Sequence, residues 1–111
     1  MRVRQWGEEV FPEKKWPFTR ANLEFAPDEP GVFVLWEGEL PVYVGRVGDG
    51  SIKAQLIAHQ DGQLGDCTMR ATHYSWEITL WPAAREAELL AAFQRQHGAE
   101  PRCQRMSIKL A

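Results

Sequence analysis

The stretch GVFVLWEGELPVYVGR, residues 31–46, decides how this chain is read. Two short runs rich in valine and aromatics flank Glu37-Gly38-Glu39, the pattern of an antiparallel hairpin. Strands are expected over residues 32–36 and 42–45, with Pro41 confined to a strand start or an edge. The triplets Gly31-Val32-Phe33 and Tyr43-Val44-Gly45 mirror one another, and Arg46 follows directly. Hairpin chemistry accounts for the turn and the proline. It leaves open why a glycine and an aromatic residue recur in both strands.

Downstream, Arg46-Val47-Gly48-Asp49-Gly50 reads as a loop, and Ser51 as the N-cap of a helix over residues 52–60. Ile52, Leu56 and His59 fall on one face of that helix. Residues 61–70 read as a second loop. In ATHYSWEITLW, Tyr74, Trp76, Ile78 and Leu80 alternate with polar residues, so a half-buried strand is expected. Pro82 suits a first helical position, and the following run of helix formers ends at Gly98, with Pro101 confirming the stop. Upstream, residues 1–30 are rich in proline and charge. They read as a lead-in that packs Trp6, Phe11, Trp16 and Phe18 on the body, with a helical turn at 19–23. The order is β-β-α-β-α: a single α+β domain, lead-in 1–30 and body 31–111, whose small three-stranded antiparallel sheet is flanked by helices.

The 111 residues are 44% hydrophobic and 25% charged, which suits one globular domain, and five tryptophans and five phenylalanines supply apolar area for its core. No run reaches the length of a membrane span, and the start MRVRQWGEEVF lacks the apolar stretch of a secretion signal, so a cytoplasmic protein without membrane contact is expected. Cys67 and Cys103 are too few for a disulfide scaffold and read as free thiols in a reducing compartment. A zinc site drawn from Cys67, His73, His97 and Cys103 would need four converging ligands from unusually open spacing. The net charge of −2 excludes a globally basic nucleic-acid binder. After Leu89, however, Arg95, Arg102, Arg105 and Lys109 stand against Glu100 alone. A local basic face suits phosphate, and an ordinary solvated surface is the alternative.

Taken in order, these residues resemble the GIY-YIG nuclease superfamily, which includes the first-incision domain of bacterial nucleotide excision repair and homing and restriction endonucleases. Gly31-Val32-Phe33 stands where the family has Gly-Ile-Tyr, and Tyr43-Val44-Gly45 where it has Tyr-Ile-Gly. His59 closes the first helix, Glu86-Ala87-Glu88-Leu89-Leu90 resembles Glu-x-x-Leu-Ile, and Pro101-Arg102-Cys103-Gln104 resembles the closing Pro-x-x-Asn. The resemblance implies the fold above and a metal-dependent endonuclease that hydrolyses DNA phosphodiester bonds, in DNA repair or mobile elements. It implies one Mg²⁺ or Mn²⁺ ion. Three positions depart from the pattern. Phe33 lacks the hydroxyl of the family's first tyrosine, Gln55 stands where an arginine is essential, and Gln104 replaces an asparagine.

Phosphodiester hydrolysis needs cations on the phosphate and a group that positions or activates water. The resemblance makes Glu86 the metal ligand. It shares a helix face with Leu89, Leu90 and Phe93, although an acid in a first helical turn is also favoured by the helix dipole alone. Tyr43 and His59 are the candidates for handling water; tyrosine is also simply common in strands, and a histidine closing a helix is often only a satisfied surface residue. Arg46 and Lys53 would bind phosphate, with Gln55, Arg70 and Gln104 as further nucleic-acid contacts, though a plain surface arginine explains Arg46 equally well. The partner is then DNA, with a protein partner as a source of specificity and a monomer or homodimer as the assembly. From another class comes the alternative of a degenerate domain of this fold that binds nucleic acid or a protein without cleaving; Phe33 and Gln55 favour it.

Overall fold

Runs of β-branched and aromatic residues pair into one sheet. In the computed structural model, which describes residues 11–12 and 14–105, the elements are Trp16–Pro17 (β1), Arg20–Leu23 (α1), Gly31–Glu37 (β2), Leu40–Val47 (β3), Ile52–Gln60 (α2), Asp66–Met69 (α3), His73–Ile78 (β4) and Pro82–His97 (α4). The strand order is β1-β4-β2-β3, antiparallel throughout. The sheet therefore has four strands where three were expected. The added strand comes from the lead-in, where Trp16 lies opposite Tyr74. Two residues, one of them a proline, are too short to show any period in sequence. Trp6, also assigned to the lead-in's packing, lies outside the described residues.

β2 is an interior strand of the sheet, between β4 and β3 and covered on both faces, so its sequence is continuously apolar rather than alternating. Phe33 and Leu35 join Ile52 and Leu56 of α2 and Tyr74 of β4 in one core cluster. Val32, Val34 and Trp36 pack with Val44 and Leu89 of α4 in another. The mirrored glycines now have a cause. Gly45 lies opposite Phe33, and a Cβ there would run into the Phe33 ring, with Cε1 only 2.6 Å away. Gly31 lies opposite Ile78 of β4, where a Cβ would meet the Glu77 carbonyl and stand 3.0 Å from the Ile78 Cα. One glycine admits a ring and the other admits a strand.

Both helix starts read from sequence are present: Ser51 Oγ accepts from the Ala54 N–H at 3.1 Å, and Pro82 opens α4, which ends at left-handed Gly98 (φ 76°). Two readings are corrected. Residues 61–70 contain the short helix α3 within the expected loop, and Cys67 and Cys103 are joined in a disulfide rather than free. Neither sulfur is therefore a thiolate for zinc. The final strand also stops at Ile78, leaving Leu80 exposed rather than continuing the buried alternation. No helix among the described residues is long and apolar enough to cross a membrane.

Candidate functional site

β3 is an edge strand of the sheet, and the candidate residues gather on its two sides. Side chains alternate along a strand, so Tyr43 and Val47 share one face while Val44 and Arg46 share the other. Tyr43 packs on the α2 side with the Phe33 cluster. Its ring lies 4.8 Å from the His59 imidazole and 6.0 Å from the Phe33 ring, and the Phe33 and His59 rings are 5.5 Å apart. Arg46 emerges on the α4 side. There its Nη1 lies 3.6 Å from Oε1 of Glu86, one turn into α4. The carboxylate side chain is 21% exposed and the guanidinium 54%. The two pairs flank one strand, about 10 Å apart along it.

His59 faces inward with Ile52 and Leu56, and is not the satisfied surface histidine of the alternative reading. It is 1% exposed, and its Nδ1 lies 2.8 Å from the hydroxyl of Thr68 in α3, itself fully buried. Burial pushes its pKa down to about 4. The imidazole is therefore neutral near pH 7, which suits a ring that packs and hydrogen-bonds better than one that carries charge to phosphate. The linkage has a definite sign. The unfolded chain takes the proton near pH 6.5 and the folded chain only near 4, so His59 favours folding fully above about 6.5. That advantage is lost as pH falls toward 4, amounting to about 3 kcal/mol. Urea unfolding at pH 7 and pH 4 should show this difference in wild type and show it reduced in His59→Gln. Equal losses in both proteins would contradict the assignment.

Gln104 carries out a backbone task. Its Oε1 accepts from the Val44 N–H at 2.9 Å and its Nε2 donates to the Val44 carbonyl at 2.8 Å, so one amide occupies the edge of β3 as a short strand would. The Cys103 N–H donates to the Val42 carbonyl at 2.8 Å alongside it. Buried to 4% exposure, this amide positions the site rather than offering itself to nucleic acid. Lys53 Nζ stands 3.8 Å from Asp28 Oδ2, and Gln55 is exposed on α2. Arg70 is not with this group: its charge acts on Glu37, at the turn end of the hairpin. Hydrogen bonds from Arg102 at 2.9 and 3.1 Å are the main cause holding that carboxyl below its usual range, with Arg70 adding to them. His73 Nδ1 lies 2.8 Å from the Thr72 hydroxyl, within the β4 end of the same region.

Three participants were not read from sequence: Thr68, the Cys67–Cys103 bond, and Gln104 as a clamp on β3. A threonine beside a cysteine carries no signal of its own, and a pair of cysteines 36 residues apart specifies no bond. Comparison with protein-family models gave no match, and neither did comparison with curated proteins.

Proposed function

We propose that this chain is a GIY-YIG-type nuclease that hydrolyses DNA phosphodiester bonds at the β3 edge with one Mg²⁺ or Mn²⁺ ion, in repair or mobile-element processing. The observation that carries the reading is the Arg46–Glu86 pair, a half-exposed guanidinium of β3 and a part-buried carboxylate of α4, on the opposite side of the strand from Tyr43. Among the described residues no group of three or more His, Cys, Asp or Glu converges. A site built on the Glu86 carboxylate fits an ion that keeps most of its waters, as Mg²⁺ does. When bound, such an ion supplies charge neutralisation on the phosphate.

The chain's own residues supply the rest. Arg46, exchanging Glu86 for a phosphate oxygen, binds the scissile group through its fork of donors. Tyr43, held by the Phe33 and His59 rings on the α2 side of β3, reaches around the strand edge from the side opposite Arg46 and Glu86 to orient the water that adds to phosphorus as an ester P–O bond breaks. Lys53 adds positive charge from α2. Phe33 contributes packing only. A cytoplasmic location belongs to the same proposal and requires the disulfide to resist cellular thiols, which full burial of Cys103 favours.

The second reading is a non-cleaving binder of the same fold. It is favoured by Phe33, by Gln55, and by a Glu86 whose charge Arg46 already balances. Supercoiled plasmid incubated with Mg²⁺ or Mn²⁺ separates the two. Wild type is expected to nick it, Glu86→Ala to lose about a hundredfold or more, and Tyr43→Phe to be impaired. Plasmid binding without nicking at any metal concentration would overturn the hydrolytic reading and leave the binder.

A further inference from the structure

On the same face as Tyr43, at the opposite edge of the sheet, Trp16, Asn22, Phe25, Tyr74 and Trp76 line a cavity of about 200 Å³. A paired row of residues runs across all four strands, from Tyr43 through Leu35 and Tyr74 to Trp16. Three strand spacings put the cavity about 14 Å from Tyr43. Its walls are aromatic and ordered. The Trp16 and Trp76 rings are parallel within 5° at a centroid distance of 5.6 Å, and Tyr74 stacks on Trp16 at 5.8 Å.

Hydrogen bonds tie these walls together. The Asn22 carbonyl accepts both the Tyr74 hydroxyl at 2.9 Å and the Phe25 N–H at 3.0 Å, while Asn22 Nδ2 donates to the Pro17 carbonyl at 2.9 Å. Phe25 is 86% exposed at the mouth. A phenyl ring in water beside a preformed aromatic cavity gains by covering a ligand.

We propose that this cavity takes one nucleobase of an unpaired DNA strand, stacked against the Trp16–Trp76 pair and covered by Phe25. The proposal rests on the nucleic-acid reading above and names the form of the substrate. Size supports it: a dry cavity of about 150 Å³ accepts a benzene ring, so this one has room for a base. Charge supports it as well. Among the described residues the cavity lining has no carboxylate to hold a cationic ligand, and Lys14 Nζ lies 5.2 Å over the Trp16 ring, where it can meet a backbone phosphate. A base also presents polar edges, and Asn22 brings an amide side chain to the lining.

Fluorescence anisotropy with a short oligothymidylate, and with an abasic strand of equal length and charge, tests this in the absence of metal. Wild type should prefer the base-bearing strand by about fivefold to a hundredfold, the worth of one base–aromatic stack. Phe25→Ala, at an exposed position, should fold normally and lose most of that preference while binding the abasic strand unchanged. Trp76→Leu should do the same. Equal affinity for the two strands, or an unchanged preference in Phe25→Ala, would overturn the proposal. Plasmid nicking on the same preparations is a separate readout. Nicking without base preference refutes the stacking site alone, and base preference without nicking supports it while refuting hydrolysis.

Discussion

Cys103→Ser is expected to lower folding stability by about 4 kcal/mol, the largest single effect in the molecule, because the bond it removes closes a long stretch of chain. Cys67 and Cys103 lie 36 residues apart, and in the chain-entropy account a closure of that length constrains the unfolded ensemble strongly. For a chain of this size the melting temperature should fall by about 15–20 °C. The folded state loses as well. Cys103 neighbours the Gln104 amide that closes the edge of β3, and Cys67 neighbours the Thr68 hydroxyl that meets His59. Cutting the bond therefore frees the supports of Tyr43 from both sides. Calorimetry of wild type, of Cys103→Ser and of the Cys67→Ser/Cys103→Ser double variant checks this. The double variant should melt with the single one, and wild type should join them under reductant. A shift below about 2 °C would mean that the sulfurs are not joined in solution.

The hairpin was legible in sequence because its signals are local. Gly38 in the turn, Pro41 at a strand start and the valine-rich runs all depend on neighbours a few residues away. The same holds for Ser51 capping α2 and for Gly98 ending α4, where a single residue type meets a specific backbone requirement. The inward face of α2 was also readable, since Ile52, Leu56 and His59 recur at helical spacing.

What escaped depends on distant contacts. β1 exists only because Trp16 meets Tyr74, 58 positions later, and no pattern in FPEKKWPFT anticipates that partner. His59 could be placed on a buried face but not assigned a charge state, because its neutrality comes from burial that residues of other elements, the Phe33 and Tyr43 rings among them, complete. The Arg46–Glu86 pair needs β3 and α4 to be packed together, so each residue could be nominated alone and their meeting could not. The exposed edge of the sheet likewise hides Gln104: its identity suggested a polar contact, and only the fold shows the contact to be with Val44.

That pair gives the second large expectation. If Glu86 is a metal ligand, Arg46 competes with the ion for the same carboxylate, and the two residues must move metal affinity in opposite directions. Arg46→Ala removes the competing cation. With a pair this exposed, Mn²⁺ should bind about three- to fivefold more tightly, while nicking falls because the phosphate has lost its fork of donors. Glu86→Ala removes the carboxylate itself and should weaken Mn²⁺ by more than tenfold, with nicking lost as well. An acid that only complements the start of α4 predicts neither change. Electron paramagnetic resonance of Mn²⁺ titrated into wild type, Arg46→Ala and Glu86→Ala therefore separates a metal-binding Glu86 from one that only complements the helix. The expected affinity order is Arg46→Ala above wild type above Glu86→Ala. Identical binding by all three proteins, or none by wild type, would contradict it.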